Sequence, residues 1–418
     1  MKSWTFRPRD SSKAGEPPIQ LVLLGGGHAH VHVLKQLNQL KQLNQLKHES
    51  QLKPLKRQGL PKRADRGNSK LLPAMEVTLL TPDRYQYYSG MFSGYLEGNY
   101  ELEDIRIDLE RMCQKAGVRL ILAAAGRIDP EGQTVMTDSG QCIPYDVLSL
   151  NIGSVVAKRV GGSDRTSDRL PQLKPNYYVA TLKQLLQSKE RIVVVGGGAS
   201  GMELAMSVQA GRRCASSNDS KDGSLHDVTV IYTGSPLAAY GEHASRRMEE
   251  LARRRGLHLI GNDRAVLIDD GELVLQSGKR LPYDSLLQLT GSAPLPLLQA
   301  SGLETDASGY ILVNEQLQSV SAPNIFGAGD CIALQSHPEL PKAGVYAVRQ
   351  APVLWRNLCG YMLGDPLVRY RPQRTYLSII STGHQEALLQ YGWLTAHGHW
   401  CWRLKQAIDR AFIRKYNE

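Results

Sequence analysis

Two segments of the chain share one order of apolar and polar positions. Residues 19–34, IQLVLLGGGHAHVHVL, and residues 191–206, RIVVVGGGASGMELAM, each start with a short apolar run, pass through three glycines and continue into a helix-compatible stretch. A further apolar run follows each segment, EVTLLT at 76–81 and DVTVIYT at 227–233. A strand, a glycine turn, a helix and a second strand make a β-α-β unit, so the pattern predicts that unit twice.

Three later stretches extend the repetition. YDVLSLNIGS at 145–154 and YDSLLQLTGS at 283–292 each predict a turn followed by a strand that ends in Gly-Ser, and NIFGAGDC at 324–331 predicts a short strand that runs into a Gly-x-Gly-Asp turn. Strands that alternate with helices are typical of parallel sheets. The predicted fold class is therefore α/β, with two Rossmann-like dinucleotide-binding domains, one inserted in the other, and a C-terminal α+β region.

The same pattern places the domain boundaries. We expect a flexible N-terminus at 1–18, a discontinuous first domain, a second domain inserted into it, and a C-terminal region with an amphipathic helix. The three folded parts cover 19–155 with 281–359, then 156–280, and then 360–418.

Two stretches lengthen the β-α-β units. In LKQLNQLKQLNQLK the leucines at 34, 37, 40, 43 and 46 recur every three residues, so they drift around a helix instead of forming one stripe. For the insertion at 35–73 we predict an expanded helix followed by a loop, with a partner-binding helix as the alternative. The polar stretch CASSNDSKDGSLHD at 214–227 is typical of a surface loop.

The glycine runs predict phosphate-binding loops. Gly196, Gly198 and Gly201 give the full Gly-x-Gly-x-x-Gly pattern directly after a strand, where backbone amides and the positive end of a helix dipole meet a dinucleotide pyrophosphate. The first run matches at Gly25 and Gly27 but has His30 as its third member. Because the third glycine mainly permits close packing of helix on strand, the first run still predicts a nucleotide loop.

His28, His30 and His32 raise the alternative of a metal site. On a helix, residues two apart point about 200° from each other, so His28 and His30 cannot chelate together, although His28 and His32 could. Zinc would need a further Cys, His or carboxylate ligand, and no second histidine cluster stands out; HGHW at 397–400 comes nearest to one. We therefore expect no metal, with His28 beside a cofactor and His30 in packing.

The acid that usually binds the adenosine ribose is missing from both units. Thr81 and Tyr232 stand at the ends of the second strands, where that acid is expected. Asp83 is close enough to substitute in the first unit, whereas no arginine directly follows the second strand of the second unit. The choice between NADH and NADPH stays open.

Composition limits the class and the compartment. The chain has 418 residues, 42% of them apolar, and a net charge of +10 that gathers at 47–70 and in the last 50 residues. We interpret the charge as a solvated basic face and not as a nucleic-acid footprint, with attraction to an anionic membrane surface as the alternative. The N-terminus lacks the apolar core of a secretory signal, and no run approaches a membrane span. A reduced, cytoplasmic protein is expected, with membrane contact only peripheral and at the inner face; the oligomeric state is not predicted.

Several motifs together resemble the two-dinucleotide flavoproteins of the pyridine nucleotide-disulfide oxidoreductase superfamily, and the type II NADH dehydrogenase-like proteins look nearest. More closely, some stretches resemble the flavoprotein module found fused ahead of selenide, water dikinase in some bacteria. These stretches are GGGHAHVHVLK, YYSGMFSGYLEGNY, PKAGVYAVRQ, YRPQRTYLSIISTG and WCWRLKQAIDRAFIRKY. The likeness runs from about residue 19 to the C-terminus, and the dikinase domain itself is not part of this sequence.

The resemblance implies FAD as one cofactor. Gly25, Gly26 and Gly27 would hold its pyrophosphate, and Asp330 would bond a ribityl hydroxyl. The other positions expected to bind a cofactor, in either unit, are His28, Asp83, Gly153, Gly291, Gly329, Lys342 and Ala343.

The resemblance also implies NADH or NADPH, held by the second glycine loop, and four candidate catalytic residues. Glu203 falls near the nicotinamide, and Gln350, with Arg349, matches the quinone-side glutamines of the dehydrogenases. Lys342 to Tyr346 would begin a helix that points at the isoalloxazine and favours the negative charge of reduced flavin; a solvated loop lysine is the alternative. Tyr88, with Ser89 and Met91, would form a flavin-side wall or, alternatively, a turn with packed aromatics.

Cysteine spacing bears on the mechanism that the resemblance implies. Disulfide reductases of this superfamily pass electrons from flavin to a neighbouring cystine, but here the nearest two cysteines in sequence, Cys331 and Cys359, are 28 positions apart. We therefore expect hydride transfer from nicotinamide to flavin and then direct oxidation by a quinone-like or other small acceptor. The alternatives are a flavin-binding accessory protein of selenium metabolism and a metal-dependent hydrolase.

The last helix offers a surface for a membrane or for docking. WCWRLKQAIDRAFIRKY places Trp400, Leu404, Ile408 and Ala411 on one side, flanked by arginines at 403, 410 and 414. A basic amphipathic helix with tryptophan can lie in a membrane interface, where a lipid quinone would be met. The alternative is docking on its own domain or on a partner.

Overall fold

A computed structural model describes residues 17–50, 72–157, 160–162, 171, 173–187, 189–216, 228–269 and 271–418. Nearly all of the predicted flexible N-terminus, the loop expected after the long first helix and most of the polar insertion at 214–227 lie outside these residues. The structural statements below concern the described residues.

The helices and strands of this part of the chain are numbered in chain order. The α-helices are α1 (His28–Ser50), α2 (Phe92–Glu97), α3 (Leu109–Ala116), α4 (Val179–Gln187), α5 (Ala199–Ser216), α6 (Glu242–Arg254), α7 (Pro296–Ala300), α8 (Gly344–Leu363) and α9 (His399–Asn417). The strands up to residue 162 are β1 (Ile19–Leu24), β2 (Met75–Thr81), β3 (Tyr85–Tyr87), β4 (Arg106–Asp108), β5 (Arg119–Leu122), β6 (Ala125–Asp129), β7 (Thr134–Thr137), β8 (Cys142–Pro144), β9 (Val147–Leu150), β10 (Val155–Val156) and β11 (Gly161–Gly162). The later strands are β12 (Ile192–Val195), β13 (Val228–Ile231), β14 (His258–Ile260), β15 (Ala265–Asp269), β16 (Glu272–Leu275), β17 (Arg280–Pro282), β18 (Ser285–Gln288), β19 (Ser292–Ala293), β20 (Ile311–Val313), β21 (Ile325–Gly327), β22 (Ile332–Leu334), β23 (Ser378–Gly383), β24 (Glu386–Tyr391) and β25 (Leu394–Gly398).

The chain divides by its contacts into two compact units. The first unit comprises the described residues of Met1–Gln86, Asp108–Gly153 and Pro294–Pro372, and the second those of Tyr87–Ile107, Ser154–Ala293 and Gln373–Glu418.

A parallel sheet forms the centre of the first unit. Its strands run in the order β21-β9-β1-β2-β5, and every neighbouring pair is parallel. All but one of the β1 side chains are buried, as are all four of β9, because a sheet covered on both faces needs near-continuous apolar strands. Helix α1 packs against α3 and α8. The predicted Rossmann-like sheet is confirmed here.

The second unit repeats this plan with fewer strands. Its parallel sheet has the order β14-β13-β12-β18, and helix α5 leads from β12 to β13. In both units the stretch that ends in Gly-Ser forms a strand beside the first strand of the β-α-β unit, on the edge opposite the second strand. These pairs are β9 with β1 and β18 with β12. The duplicated β-α-β unit and its crossover strand are thus confirmed.

The repetition also includes an antiparallel meander that the sequence patterns did not predict. Strands β6, β7 and β8 precede β9 in the first unit, and strands β15, β16 and β17 precede β18 in the second. These strands are only three to five residues long, which leaves too few positions for a clear alternation of apolar and polar residues.

The unit boundaries differ from the predicted domain boundaries at several places, and residues of Tyr87–Ile107, predicted in the first domain, fall in the second unit. Strand β18 pairs with β12 and so belongs to the second unit, although a boundary is predicted at 281. Residues of Gln373–Glu418 also fall in the second unit, where β23, β24 and β25 form an antiparallel sheet that α9 covers. The first unit ends later than predicted because α8 continues to Leu363.

The leucine repeat of α1 behaves as its spacing predicts. Leu34 and Leu37 are buried, whereas Leu43 is 54% exposed. A three-residue repeat rotates steadily away from the core on a helix of 3.6 residues per turn, so the helix leaves the body of the first unit as it extends. The expanded helix is confirmed as far as Ser50.

Candidate dinucleotide sites

The first glycine loop joins β1 to α1 with almost no room for side chains. Gly25 has φ +92°, and a Cβ there would stand 2.5 Å from the carbonyl oxygen of Asn151. A left-handed φ and close approach to backbone are the two conditions that select glycine. The helix begins directly afterwards at His28, so its free amides lie at the loop, as phosphate binding requires.

His30 stands at the position of the third glycine, and its ring is held there by two hydrogen bonds. Its Nδ1 lies 2.6 Å from the carbonyl oxygen of Gly25 and its Nε2 lies 2.8 Å from Oγ of Ser149. A carbonyl only accepts, so Nδ1 carries the proton and the serine hydroxyl donates to Nε2. Burial lowers the pKa of His30 to about 4, so the ring is neutral near pH 7. The prediction that His30 serves in packing is confirmed.

Asn151 is a residue of this site that the sequence patterns missed. Its Oδ1 accepts from the backbone N–H of Ala29 at 2.9 Å, and its Nδ2 donates to the carbonyl of Ala328 at 2.6 Å. It therefore ties the first turn of α1 to the turn that follows β21. A comparison of the two duplicated strands could have found Asn151. The second copy has Leu289 at the same position, so the side-chain amide is special to the first unit.

The Gly-Asp turn after β21 forms one wall of a cleft in the first unit. Gly329, Asp330, Lys342, Ala343, Tyr346 and Gln350 are among the residues that line this cleft. The amide of Gly329 donates to Oε1 of buried Gln350 at 2.7 Å. The structure thus brings Asp330, Ala343, Lys342 and Gln350 to one cleft. It shows Gln350 holding the turn.

Lys342 is partly buried and anchored. Its ammonium donates to the carbonyl of Ile332 and lies 4.0 Å from the ring centre of Tyr310. Burial lowers its pKa, while the nearby Asp306, Cys331 and Asp330 act in the opposite direction. Helix α8 begins only at Gly344, two residues later than the helix predicted from Lys342. A Cβ on Gly344 would meet no protein atom within 4 Å, so this helix start is open to a ligand.

His28, Asp83 and Gly153 complete the residues predicted for the first unit. Burial lowers the pKa of His28 to about 4, with the charge of Asp330 opposing the shift. The carboxylate of Asp83 accepts from the backbone N–H of Tyr85 at 2.6 Å, so it stabilises the turn after β2. Gly153 follows Asn151 closely and has φ +72°.

The second glycine loop reproduces the first with glycine at every position. A Cβ on Gly196, whose φ is +134°, would collide with the carbonyl of Leu289, and a Cβ on Gly201 would collide with the carbonyl of Gly196 itself. A Cβ on Gly198 would meet nothing within 4 Å. Gly196 and Gly201 are therefore required by packing, whereas Gly198 leaves open space, which fits the close approach of a pyrophosphate. Gly291, predicted beside them, has φ +118°.

Tyr232 fills the position of the missing ribose acid. It is 5% exposed, and its ring lies so close to Gly197 and Gly261 that a Cβ on either would stand under 3 Å from it. The charges of Glu249 and Arg253 act on the pKa of Tyr232 in opposite directions, and these two side chains pair with each other at 2.8 Å. A buried tyrosine, and not an acid, thus ends this strand.

Glu203, on the second turn of α5, lies in a buried charged cluster of the second unit. Its Oε1 accepts from Oγ of Ser93 at 3.0 Å and from the backbone N–H of Ser381 at 2.9 Å. Lys405 Nζ lies 3.9 Å from the same oxygen and 2.9 Å from Oδ2 of Asp409. Burial raises the pKa of Glu203, while Lys405 and the two donors oppose the rise. Lys405 and Asp409 were not predicted, although their i, i+4 spacing on α9 was visible.

Tyr88 packs against α9. Its ring stacks on Phe412 with centroids 4.4 Å apart, and its hydroxyl hydrogen-bonds Asp409. Burial raises the pKa of this hydroxyl far above its usual value. These contacts match the packed-aromatic alternative for the 88–91 segment.

Three further findings concern thiols, metals and membranes. Of the cysteines whose side chains are described, Cys113, Cys142, Cys331, Cys359 and Cys401 are all free. In the same part of the chain, no three His, Cys, Asp or Glu side chains gather as a metal site would need. Nor does any helix there combine the length and the apolarity needed to cross a bilayer.

Two parallel sheets, each with a glycine loop leading into a helix, define a two-dinucleotide oxidoreductase. The chain belongs to the pyridine nucleotide-disulphide oxidoreductase family, which it matches over residues 19–351. It is therefore an FAD-dependent NAD(P)H oxidoreductase, with FAD and NADH or NADPH as its cofactors.

Curated relatives include dehydrogenase-like and quinone-reducing proteins. The chain is 25% identical over 344 residues to an NADH dehydrogenase-like protein of Mycobacterium tuberculosis. The aligned region covers 78% of this chain and 84% of that protein. It is 22% identical over 379 residues to the sulfide-quinone reductase of Aquifex aeolicus, covering 82% of this chain and 86% of that protein.

Solved structures show the same fold. The sulfide:quinone oxidoreductase of Aquifex aeolicus matches with a TM-score of 0.70 at 20% identity, covering 96% of this chain and 91% of that one. NDH2 of Plasmodium falciparum, solved in complex with NADH, matches with a TM-score of 0.71 at 13% identity, covering 96% and 99%. The predicted fold class is confirmed.

Proposed function

We propose that this enzyme takes hydride from NAD(P)H and passes the electrons from FAD directly to a quinone-like or other small acceptor, without a redox disulfide. In this proposal the first unit holds FAD and the second holds the pyridine nucleotide. The observation that carries the direct transfer is the state of the thiols. The sequence has no Cys-x-x-Cys pair, and the cysteines with described side chains are free.

The side chains around the first loop support binding of FAD. Asn151 and His30 fix the loop and the start of α1, so backbone amides are held ready for the pyrophosphate without reorganisation. Bound FAD would supply a ring that accepts hydride and releases electrons singly or in pairs. Lys342 and the open start of α8 would place positive potential beside that ring and favour its reduced, anionic form.

Stopped-flow mixing of the FAD-loaded protein with NADH or NADPH tests the proposal. We expect rapid bleaching of the flavin absorbance, followed by rapid return of colour on addition of a short-chain quinone. The ratio of the two bleaching rates also decides the donor, which Tyr232 leaves open. Flavin that stays oxidised at millimolar nucleotide would contradict the proposal.

That contrary result would favour a second candidate, a flavin-binding accessory protein of selenium metabolism with little turnover. Its support is the resemblance to the module fused to selenide, water dikinase, together with Tyr232 in place of the ribose acid.

We also propose that α9 and the neighbouring hairpin rest on an anionic membrane surface, where a lipid quinone is reached. Trp393, in the β24–β25 turn, is 92% exposed, and Trp400, Leu404 and Ile408 are also exposed. Helix α9 docks through its other face, where Cys401, Trp402, Asp409, Ile413 and Tyr416 are buried. Both alternatives for this helix are therefore supported, docking by one face and lipid contact by the other.

Sedimentation with lipid vesicles tests the surface. We expect binding to vesicles rich in anionic phospholipid, weaker binding to neutral ones, and a decline with salt. Trp400→Ser with Leu404→Ser should weaken binding by roughly tenfold or more, because about 25 cal/mol is lost per Å² of apolar area. Leu267→Ser, at an exposed site of similar size on β15, is the control. Equal binding of both variants would contradict the proposal.

A further inference from the structure

Glu203, Lys405 and Asp409 form a buried chain of alternating charge inside the second unit. Their side chains are 20%, 11% and 6% exposed. The ammonium of Lys405 lies between the two carboxylates and also donates to the carbonyl of Gly90. The ammonium thus donates two hydrogen bonds and lies within ion-pair distance of Glu203, 3.9 Å from its Oε1, so its charge is compensated although it is withdrawn from water.

The residues that contact Glu203 and its partners include several that sense its charge. Helix α9 brings Lys405 and Asp409, and the segment before α2 brings Tyr88, whose hydroxyl bonds Asp409. Ser93 of α2 and the backbone N–H of Ser381 on β23 donate to Oε1 without titrating. Tyr100 also faces Lys405 and Asp409.

The balance of charge depends on Lys405. With both carboxylates ionised, the cluster carries one net negative charge; without the ammonium, two carboxylates would stand in a poorly solvated site and one would take up a proton. Burial raises the pKa of both Glu203 and Asp409, and Lys405 opposes the rise in each. Asp409 acts in the opposite direction to Lys405, because its negative charge raises the pKa of Glu203.

Stability alone does not account for such a cluster. Replacing a buried ion pair by apolar side chains of similar volume is often neutral or stabilising. Glu203 follows Gly201 by two positions, so its charge stands at the start of α5 beside the second glycine loop. When a dihydronicotinamide gives up hydride its ring becomes positive, and a nearby carboxylate stabilises that charge.

We propose that Lys405, itself held by Asp409, is a positioning residue that keeps the Glu203 carboxylate ionised and directed for use by the bound pyridine nucleotide. This inference rests on the proposed function of the second unit and adds the group that sets the charge of its carboxylate. Lys405 and Asp409 act only through Glu203.

Three variants of the 418-residue, FAD-loaded protein test the inference. The rate of flavin bleaching by saturating NADH is measured against pH for Lys405→Met, Asp409→Asn and the matched control Lys415→Met, an exposed lysine of the same helix. Lys405→Met should move the acidic limb of the profile to higher pH by about one unit or more. On the acidic limb its rate should then be about tenfold below that of the wild type, and it should recover in alkaline buffer.

Asp409→Asn should move the acidic limb the other way, to lower pH, because it removes a negative charge. Lys415→Met should follow the wild type. Equal losses at every pH in Lys405→Met and Asp409→Asn would indicate structural support only and would overturn the inference. If Lys405→Met does not fold, Lys405→Gln, which keeps a hydrogen-bond donor without the charge, takes its place, and the absence of an upward shift in that variant overturns the inference.

A readout without turnover separates this inference from the proposed function. The infrared carbonyl band of a protonated carboxyl is followed against pH in the oxidised protein without nucleotide. In Lys405→Met the band should appear at higher pH than in the wild type, and Glu203→Gln in the same background should remove it. If NADH does not bleach the wild-type flavin, the proposed function fails, while the infrared titration still decides whether Lys405 sets the charge of Glu203.

Discussion

His30 and Gly201 hold the same place in the two glycine loops and solve the same packing problem in different ways. Gly201 has no side chain to strike the carbonyl of Gly196, whereas His30 donates a hydrogen bond to the carbonyl of Gly25. The sequence predicted that His30 packs, because it replaces a glycine with a packing role. It did not predict the bond to Ser149, because that partner is 119 positions away.

The buried neutral ring of His30 makes stability depend on pH. Its pKa is about 4 in the folded protein and about 6.5 when unfolded, so between these values the unfolded chain binds more protons. Stability therefore falls as pH drops through this window and is constant above it. His30→Gln removes one such group, so its stability deficit against the wild type should shrink by about 2 kcal/mol from pH 7 to pH 5. Urea unfolding at the two pH values measures the deficit, with exposed His258→Gln as the control; a deficit independent of pH would refute the assignment.

At the scale of elements, the helices that start at the glycine loops were predicted well, since strand, loop and helix are adjacent in sequence. Helix α9 was predicted only in part. Its apolar stripe of Trp400, Leu404 and Ile408 was visible, but the structure leaves that stripe exposed and buries the opposite face. Both faces carry apolar residues, so periodicity alone could not say which one packs.

The start of α5 separates glycines needed for packing from glycines needed for ligand. Gly198→Ala should leave the free energy of unfolding unchanged, because the new methyl group meets open space. It should weaken NADH binding by roughly tenfold or more, because that space is where the pyrophosphate approaches. Gly201→Ala, by contrast, should lower the free energy of unfolding by about 1–3 kcal/mol, since its Cβ collides with the carbonyl of Gly196. Calorimetric titration and chemical unfolding measure the two effects, and unchanged NADH affinity in Gly198→Ala would refute the placement of the pyrophosphate.

At the scale of the whole molecule, the α/β class and the duplication followed from local signals, whereas the division into units did not. Residues of Tyr87–Ile107 join the second unit, partly through the bond between Ser93 and Glu203, which are 110 positions apart. No periodicity encodes such a pairing. The same limit explains why Asn151, Lys405 and Asp409 were missed, since each acts through partners distant in sequence.

The whole chain should transfer electrons without any thiol. Burial raises the pKa of Cys113 and Cys359 to about 12 and that of Cys331 to about 11, so these thiols stay protonated and unreactive near pH 7. Cys142 is exposed and should be the first described cysteine that iodoacetamide modifies.

We expect the rate of NADH oxidation with a quinone acceptor to stay within about twofold after alkylation. Arsenite, which traps paired thiols, should have no effect on the NADH-reduced enzyme. Cys142→Ser serves as the control for added bulk at that site. Inhibition by arsenite would reveal a working dithiol and end the direct route from flavin to acceptor, because two electrons would then pass through sulfur.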